Sequence, residues 1–421
     1  MIYLKLALKS LRNRIFSSAL TVISIALSVM LLLAVERTKR ASEEGFTQSV
    51  SQADLLVGAR TGPLNLILYT VFNMGSASNN ISMQTYEDIQ KNPAIEWTIP
   101  YSLGDGHKGF RVVATDENFY QHYRFRGDQK VEFLSGQPAL DIWDVVVGSE
   151  VQKKLNYNLN GSIVIAHGVT RGEGIQLHDD KPFKISGILK PTGTAIDQTV
   201  YISLLGMEAI HIDWKNGAQP TKENSTPQDQ ITKENIKINQ ITSFFLRTKS
   251  RIQTLKLQRD INNYSEEPLM AIIPGATLSD LWRGLSNIEM VLKIISFMVM
   301  IVGLFSMLST ILAGLNERRR EMSILRSIGA GPMQLSLLLV FESAFLTFIG
   351  LVIGLFVELA VFFILSGWLE SQFGFYVTGD SVTKTEILYL LLVFIFGILI
   401  GFIPAYRASR LALKDGLSAR I

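Results

Sequence analysis

The chain has 421 residues, 40 Lys and Arg against 37 Asp and Glu, no cysteine and 48% hydrophobic residues. Without cysteine there is no disulfide framework, thiol nucleophile or thiolate metal site, and a formal charge of +3 argues against the basic stripe of a nucleic-acid binder. A positive mean hydropathy, with only 18% charged residues crowded into the middle of the chain, predicts one soluble domain between membrane-spanning segments.

Residues 1–15 place Leu4, Leu8, Leu11 and Ile15 at helical spacing, with Lys5, Lys9 and Arg12 on another face. This is the pattern of an amphipathic helix lying along the inner leaflet, although a basic flank that fixes topology has the same composition. A spanning helix needs about 20 apolar residues, and four stretches qualify: 16–35, 294–315, 335–365 and 387–405. The first is too long for a signal peptide and has no small-residue cleavage site after it, so it reads as an uncleaved anchor. Lys5, Lys9, Arg12 and Arg14, then Arg318, Arg319, Arg320 and Arg326, then Arg407, Arg410 and Lys414 put both termini and the 316–334 loop in the cytoplasm. The 366–386 loop falls outside and 406–421 forms a cytoplasmic tail. Arg37, Lys39 and Arg40 run against this charge rule, on the outer side of the first span.

Residues 36–293 have the composition of a large α+β extracytoplasmic domain inserted between the first and second spanning helices. Strands are expected at Val145–Val147, Ser162–Ala166, Phe183–Leu189, Thr199–Ile202, Ile241–Arg247 and Leu269–Pro274. Helices are expected at Ser149–Leu155, at Arg251–Asn262 and from Ser279 into the second span. The polar stretch 214–239 reads as a mobile insertion. The apolar run containing Leu64, Leu66, Leu68 and Phe72 has two readings, domain core or a gate and greasy substrate wall at the membrane surface.

No GxxxxGK[ST] loop, GxSxG elbow or HExxH helix occurs, so no catalytic residue is assigned and the chain does not read as a P-loop ATPase itself. The histidines His107, His122, His167, His178 and His211 have no local metal-ligand spacing, which predicts scattered core or surface residues and no metal site. Glu342 and Glu358 fall inside the third span, where a carboxylate turns towards protein or water. Structural hydrogen bonding is the expected role of both, ahead of a proton-relay role, since no second carboxylate or histidine stands at matching depth in the sequence.

The run Asn316-Glu317-Arg318-Arg319-Arg320-Glu321-Met322-Ser323-Ile324-Leu325-Arg326-Ser327-Ile328-Gly329-Ala330 resembles the ERxREx-ILRxxGA signature of the MacB/FtsX-type (type VII) ABC permeases. Pro404-Ala405-Tyr406-Arg407-Ala408-Ser409-Arg410 resembles the same family's ending, and DVVVGSEVQKKLNYNLNGSIVI and FKISGILKPTGTAIDQTVYISL resemble its extracytoplasmic domain. Met322, Leu325 and Ile328 give a short helix an apolar edge, a pattern that on its own fits an ordinary basic loop. The resemblance implies instead an ATPase-coupling helix carried by Glu317, Arg318, Arg319, Glu321, Met322, Leu325 and Arg326 and stopped at Gly329. It further implies a bacterial inner-membrane permease subunit with no cofactor of its own. A cytoplasmic ABC ATPase binds ATP and Mg, a second permease chain, identical or related, completes the pair, and membrane lipids surround it. A periplasmic adaptor or lipoprotein is a further implied partner. The expected function is mechanotransmission for export or extraction of a hydrophobic or lipidated substrate, the alternative being a signalling scaffold that controls a periplasmic partner such as a cell-wall hydrolase.

Overall fold

The structure, a computed structural model, describes residues 15–49, 52–168, 177–214, 225–317, 324, 327, 329–373 and 382–415, with the backbone alone described for 42, 44–48, 285, 314–317, 367–373 and 409–415. Contacts divide the chain into a helical unit (Met1–Arg40, Leu285–Gly367 and Thr378–Ile421) and a sheet unit (Ala41–Gly284 and Trp368–Val377).

In chain order, helix α1 (Ile15–Gln48) precedes β1 (Leu55–Ala59), α2 (Pro63–Val71), β2 (Ile81–Ser82), α3 (Met83–Gln90), β3 (Ile95–His107) and β4 (Phe110–Thr115). Then come α4 (Glu117–His122), β5 (Arg124–Phe125), β6 (Gln129–Lys130), β7 (Phe133–Gly136), β8 (Asp144–Val147), α5 (Ser149–Leu155), β9 (Ser162–Ile163) and β10 (Ala166–His167). The sheet unit continues with β11 (Phe183–Leu189), β12 (Thr199–Ser203), α6 (Leu204–Ile210), β13 (Gln240–Ile241), β14 (Ser243–Thr248), α7 (Arg251–Asn262) and β15 (Leu269–Ile272). Three long helices follow, α8 (Pro274–Glu317), α9 (Pro332–Phe373) and α10 (Lys384–Asp415).

Among the described residues eleven strands form one sheet, in the order β15-β1-β14-β3-β4-β12-β8-β11-β7, with β10 paired on β3 and β9 on β11. The 13-residue strand β3 is its spine. Its first part, Ile95 to Tyr101, pairs with β14, and its second part, Ser102 to His107, pairs with β4. Side chains alternate between faces along a strand, and here both faces are buried. Val145 and Val147 of β8 enter one apolar cluster and Val146 the other, as Leu55 and Val57 do against Leu56 in β1. Helices expected at Ser149–Leu155 and Arg251–Asn262, and the strand at Phe183–Leu189, have those same bounds.

Three expectations need correction. The first helix continues to Gln48 rather than yielding to the outer domain at Glu36. The strand expected to reach Pro274 stops at Ile272, because Pro274 opens α8, where a missing N–H costs nothing. Within the stretch read as a mobile insertion, residues 215–224 lie outside the described residues, but Ile231 is buried against Ile142 and Ala209, and Lys233 pairs with Asp141 at 2.7 Å.

Four helices of the helical unit are long and apolar enough to cross a membrane: Ile15–Ala41, Ser286–Ala313, Pro332–Ser366 and Lys384–Ala408. Each is longer than the sequence expectation. Small residues bring them close, as membrane helices require when lipid offers no hydrophobic contrast. Gly350 faces Ile25, Gly354 faces Ala26, Gly303 faces Ser28, Gly397 faces Thr347 and Gly401 faces Ser343. Ser28 Oγ donates across to the Val299 carbonyl at 3.2 Å, and Ser336 Oγ to that of Ala405 at 3.2 Å. Large apolar side chains such as Phe363 and Ile364 point outward. The amphipathic helix expected before the first span lies outside the described residues, apart from Ile15.

Candidate functional site

Two polar constellations stand out, one in each unit. In the helical unit, Arg37 of α1 is buried, with Nε 3.2 Å from Glu358 Oε1 of α9 and a guanidinium nitrogen 3.3 Å from Glu386 Oε2 of α10. Arg40 reaches the other Glu386 oxygen at 3.4 Å, and the Arg37 guanidinium lies 5.4 Å from the Phe362 ring. Glu386 also accepts from the backbone N–H of Thr383 at 3.0 Å, while Thr383 Oγ1 accepts from the Glu386 N–H, so the same carboxylate caps α10 and pairs with arginine. Beside this layer, Lys39 and Lys293 hold Glu289 at 2.9 and 2.5 Å.

These contacts revise the reading of the third span. Glu358 has a second carboxylate beside it, Glu386, and two arginines balance the two acids. The cations that ran against the charge rule, Arg37, Lys39 and Arg40, are therefore ion-paired rather than free topology signals. Glu342 is buried on α9, 4% exposed. Neither the arginine pairing nor the role of Glu386 was visible in the sequence, because the partners are separated by most of the chain.

Of the residues expected to couple to an ATPase, Arg318, Arg319, Glu321, Met322, Leu325 and Arg326 lie outside the described residues, as does the side chain of Glu317. Gly329 adopts φ +98°, the left-handed conformation expected of a helix-stopping glycine. Pro332 then opens α9, and the Gly331 N–H donates to Gln334 Oε1 at 3.0 Å.

The apolar run folds as α2. Leu66 and Phe72 are buried in the sheet unit's core with Ile67 and Tyr69, whereas Leu68 is half-buried and Leu64 is 37% exposed. Of the two readings, the geometry favours domain core for Leu66 and Phe72. Gly58 is required beneath this helix, since a Cβ there would lie 2.5 Å from a Leu66 methyl.

In the sheet unit the histidines are not scattered. Antiparallel pairing of β10 with β3 sets His167 opposite Asp105. The His178 N–H donates to the Ile165 carbonyl at 2.9 Å, and His211 caps the C-terminus of α6. His167 Nδ1 lies 3.2 Å from Asp105 Oδ1 and 3.3 Å from His211 Nε2, and His211 Nε2 lies 3.5 Å from Asp105 Oδ2. His178 completes the group, with one ligand atom of each of the four residues within 4.8 Å of the others. Trp214 covers the imidazoles, its ring 4.7 Å from that of His167 and 4.9 Å from that of His178. Burial pushes the His178 pKa down to about 4, and the Asp105 carboxylate raises that of His167. His107 and His122 stand apart. His107 donates from Nδ1 to the Val164 carbonyl and meets the Tyr157 hydroxyl at Nε2, both at 2.7 Å, while His122 stacks on Trp97.

Two family models match the chain, a MacB-like periplasmic core domain over residues 18–264 and an FtsX-like permease C-terminal over residues 293–413. Over 425 residues the chain is 21% identical to the macrolide export ATP-binding/permease protein MacB of Campylobacter jejuni, an alignment covering 98% of this chain and 61% of that protein. The chain thus spans about three-fifths of the length of that relative. The crystal structure of the extracellular domain of the noncanonic ABC-type transporter YknZ from Gram-positive bacteria aligns with 52% of this chain and 98% of its own, at 10% identity and a TM-score of 0.30. The periplasmic-core match covers more than half of the residues, the permease match takes in the last three spans, and the chain belongs to the MacB/FtsX-type family of ABC transporter permeases.

Proposed function

We propose that this chain is a permease subunit that passes ATP-driven motion of a separate cytoplasmic ATPase through its helical bundle to the sheet domain. The work done there is export or extraction of a hydrophobic or lipidated substrate. The ATPase holds ATP and Mg, and two permease chains act together. The buried Arg37–Glu358–Glu386 layer carries this reading, because it ties α1 to α9 and α10. The 316–334 loop joins α8 to α9, and α1 leads along the chain into the sheet domain. A push on the loop therefore has a charged, directional connection to α1, besides apolar packing that slides more readily. In this reading Glu317, Arg318, Arg319, Glu321, Met322, Leu325 and Arg326 form the ATPase contact, with arginine supplying charge and the apolar edge filling a groove.

The test is affinity purification of the tagged chain from its native membrane in mild detergent. Wild type is expected to bring down a P-loop ATPase and stimulate its hydrolysis. Glu317→Ala combined with Arg318→Ala is expected to lose both while the circular dichroism spectrum stays that of wild type. Undiminished co-purification and hydrolysis in the double variant would count against the coupling assignment.

A further inference from the structure

We propose that Asp105, His167, His178 and His211 form a four-ligand site for one divalent transition-metal ion of the zinc class. A tetrahedral site with metal–nitrogen and metal–oxygen bonds of about 2.0–2.1 Å has ligand-to-ligand edges of about 3.3–3.4 Å. The close approaches here are of that size: His167 Nδ1 lies 3.3 Å from His211 Nε2, and these two nitrogens face different oxygens of the Asp105 carboxylate at 3.2 and 3.5 Å, with one ligand atom of each of the four residues within 4.8 Å of the others.

These atoms face chiefly one another. Asp105 is fully buried, and apart from the imidazole nitrogens of His167 and His211 at 3.2 and 3.5 Å its carboxylate oxygens have no hydrogen-bond partner among the described residues. His178 is 2% exposed and its Nε2 has no hydrogen-bond partner among the described residues. Buried polar atoms without partners are costly, so their convergence on one point calls for a cation. The hydrogen bonds behind the imidazole have the form that metal sites use to orient it. His211 Nδ1 lies 2.9 Å from the Met207 carbonyl, which can only accept, so the proton sits on Nδ1 and the Nε2 lone pair faces the cluster. Behind it, buried Lys181 holds Asp213 at 2.8 Å, and Asp213 also accepts from the Thr226 N–H and hydroxyl, fixing the turn that carries Trp214.

Three imidazoles and one carboxylate select a borderline ion such as Zn²⁺ over the hard cations Mg²⁺ and Ca²⁺, which take oxygen ligands. The ligands come from β3, β10, the turn before β11 and the end of α6. A bound ion would therefore fasten a helix terminus and two connections to the sheet's spine. His167 is about half exposed, which leaves a path for the ion to enter from solvent.

The test uses the full-length protein, purified in detergent in metal-free buffer and titrated with Co²⁺ and then Zn²⁺. The expected result is one equivalent of Co²⁺ per chain with the intense visible bands of a tetrahedral ion, bleached by one equivalent of Zn²⁺ and untouched by excess Mg²⁺. His167→Ala combined with His211→Ala, both at solvent-accessible positions, should weaken binding by about a hundredfold or more, with the metal-free spectrum and melting temperature unchanged. Asp105→Asn, which keeps the shape and removes the charge, supplies the same reading if the double variant misfolds. A pale six-coordinate spectrum, or equal affinity and stoichiometry in wild type and variants, would overturn the assignment.

Discussion

Arg37 and Glu358 meet at 3.2 Å inside the helical bundle, each no more than 2% exposed, and Glu386 closes the layer from α10. A buried ion pair contributes little net stability relative to apolar residues, yet removing one member leaves the other as an uncompensated charge.

Arg37→Ala should therefore destabilise the bundle by about 3–5 kcal/mol, because two carboxylates lose their main cation. Adding Glu358→Gln and Glu386→Gln should recover part of the loss. Thermal unfolding in detergent measures both, and an Arg37→Ala protein that melts with wild type would remove the structural role of this layer. If the carboxylates serve structure rather than proton relay, Glu358→Gln should also retain ATPase stimulation.

Two helical glycines, Gly401 in the bundle and Gly284 on the part of α8 that belongs to the sheet unit, give opposite signs. A Cβ at Gly401 would overlap the Ser343 side chain, whereas one at Gly284 meets nothing within 4 Å. Gly401→Ala should cost about 1–3 kcal/mol by forcing α9 and α10 apart, and Gly284→Ala should gain about 0.5–1 kcal/mol from helix propensity. Melting temperatures that shift in the same direction would refute the packing assignment.

Asp116 caps α4, accepting from the Asn118 N–H at 3.0 Å, and burial raises its pKa from 3.8 to about 7. The native state then binds this proton more tightly than the unfolded chain between about pH 4 and pH 7, so this group's contribution to stability falls as pH rises across that window. Asp116→Asn keeps the cap and removes the charge. It should flatten the pH dependence of the melting temperature and stabilise the protein above pH 7 by on the order of 1–2 kcal/mol. An unchanged slope would show that the carboxyl ionises normally.

Asp197 holds the turn before β12. It accepts from the Thr192 N–H at 2.8 Å, the Gly193 N–H at 2.7 Å and the Thr192 hydroxyl at 2.9 Å. Asp197→Ala would orphan these buried donors at a cost of about 2–3 kcal/mol. Denaturant unfolding and hydrogen exchange at Thr192 and Gly193 would register it, and unaltered protection there would contradict the assignment.

Much of this architecture is legible in local sequence. The spans announce themselves by length and hydropathy, and Arg251–Asn262 shows its helix because Thr254, Leu257 and Ile261 recur at helical spacing towards the core. The two polar constellations do not, for a common reason. Arg37 meets Glu358 and Glu386, and Asp105 meets His167, His178 and His211, only after distant elements pack, and no spacing rule reaches across such separations. Asp105 gives one partial signal, a lone acid between glycines in a strand, Gly104-Asp105-Gly106, where β10 pairs. The α2 run was ambiguous because a continuous apolar stretch looks alike in a buried helix and at a membrane surface; a neighbouring strand packs over Leu66 here and decides it.

The unbroken β3 also bears on how the sheet domain comes apart. A single strand hydrogen-bonded to β14 at one end and β4 at the other leaves no seam along which either half could open alone. Force or heat applied at any edge must propagate until β3 itself is released, so the domain should rupture in one cooperative event, with the β3 amides the slowest of all to exchange. Under the role proposed for it, the domain would act as a stiff lever instead of a hinge.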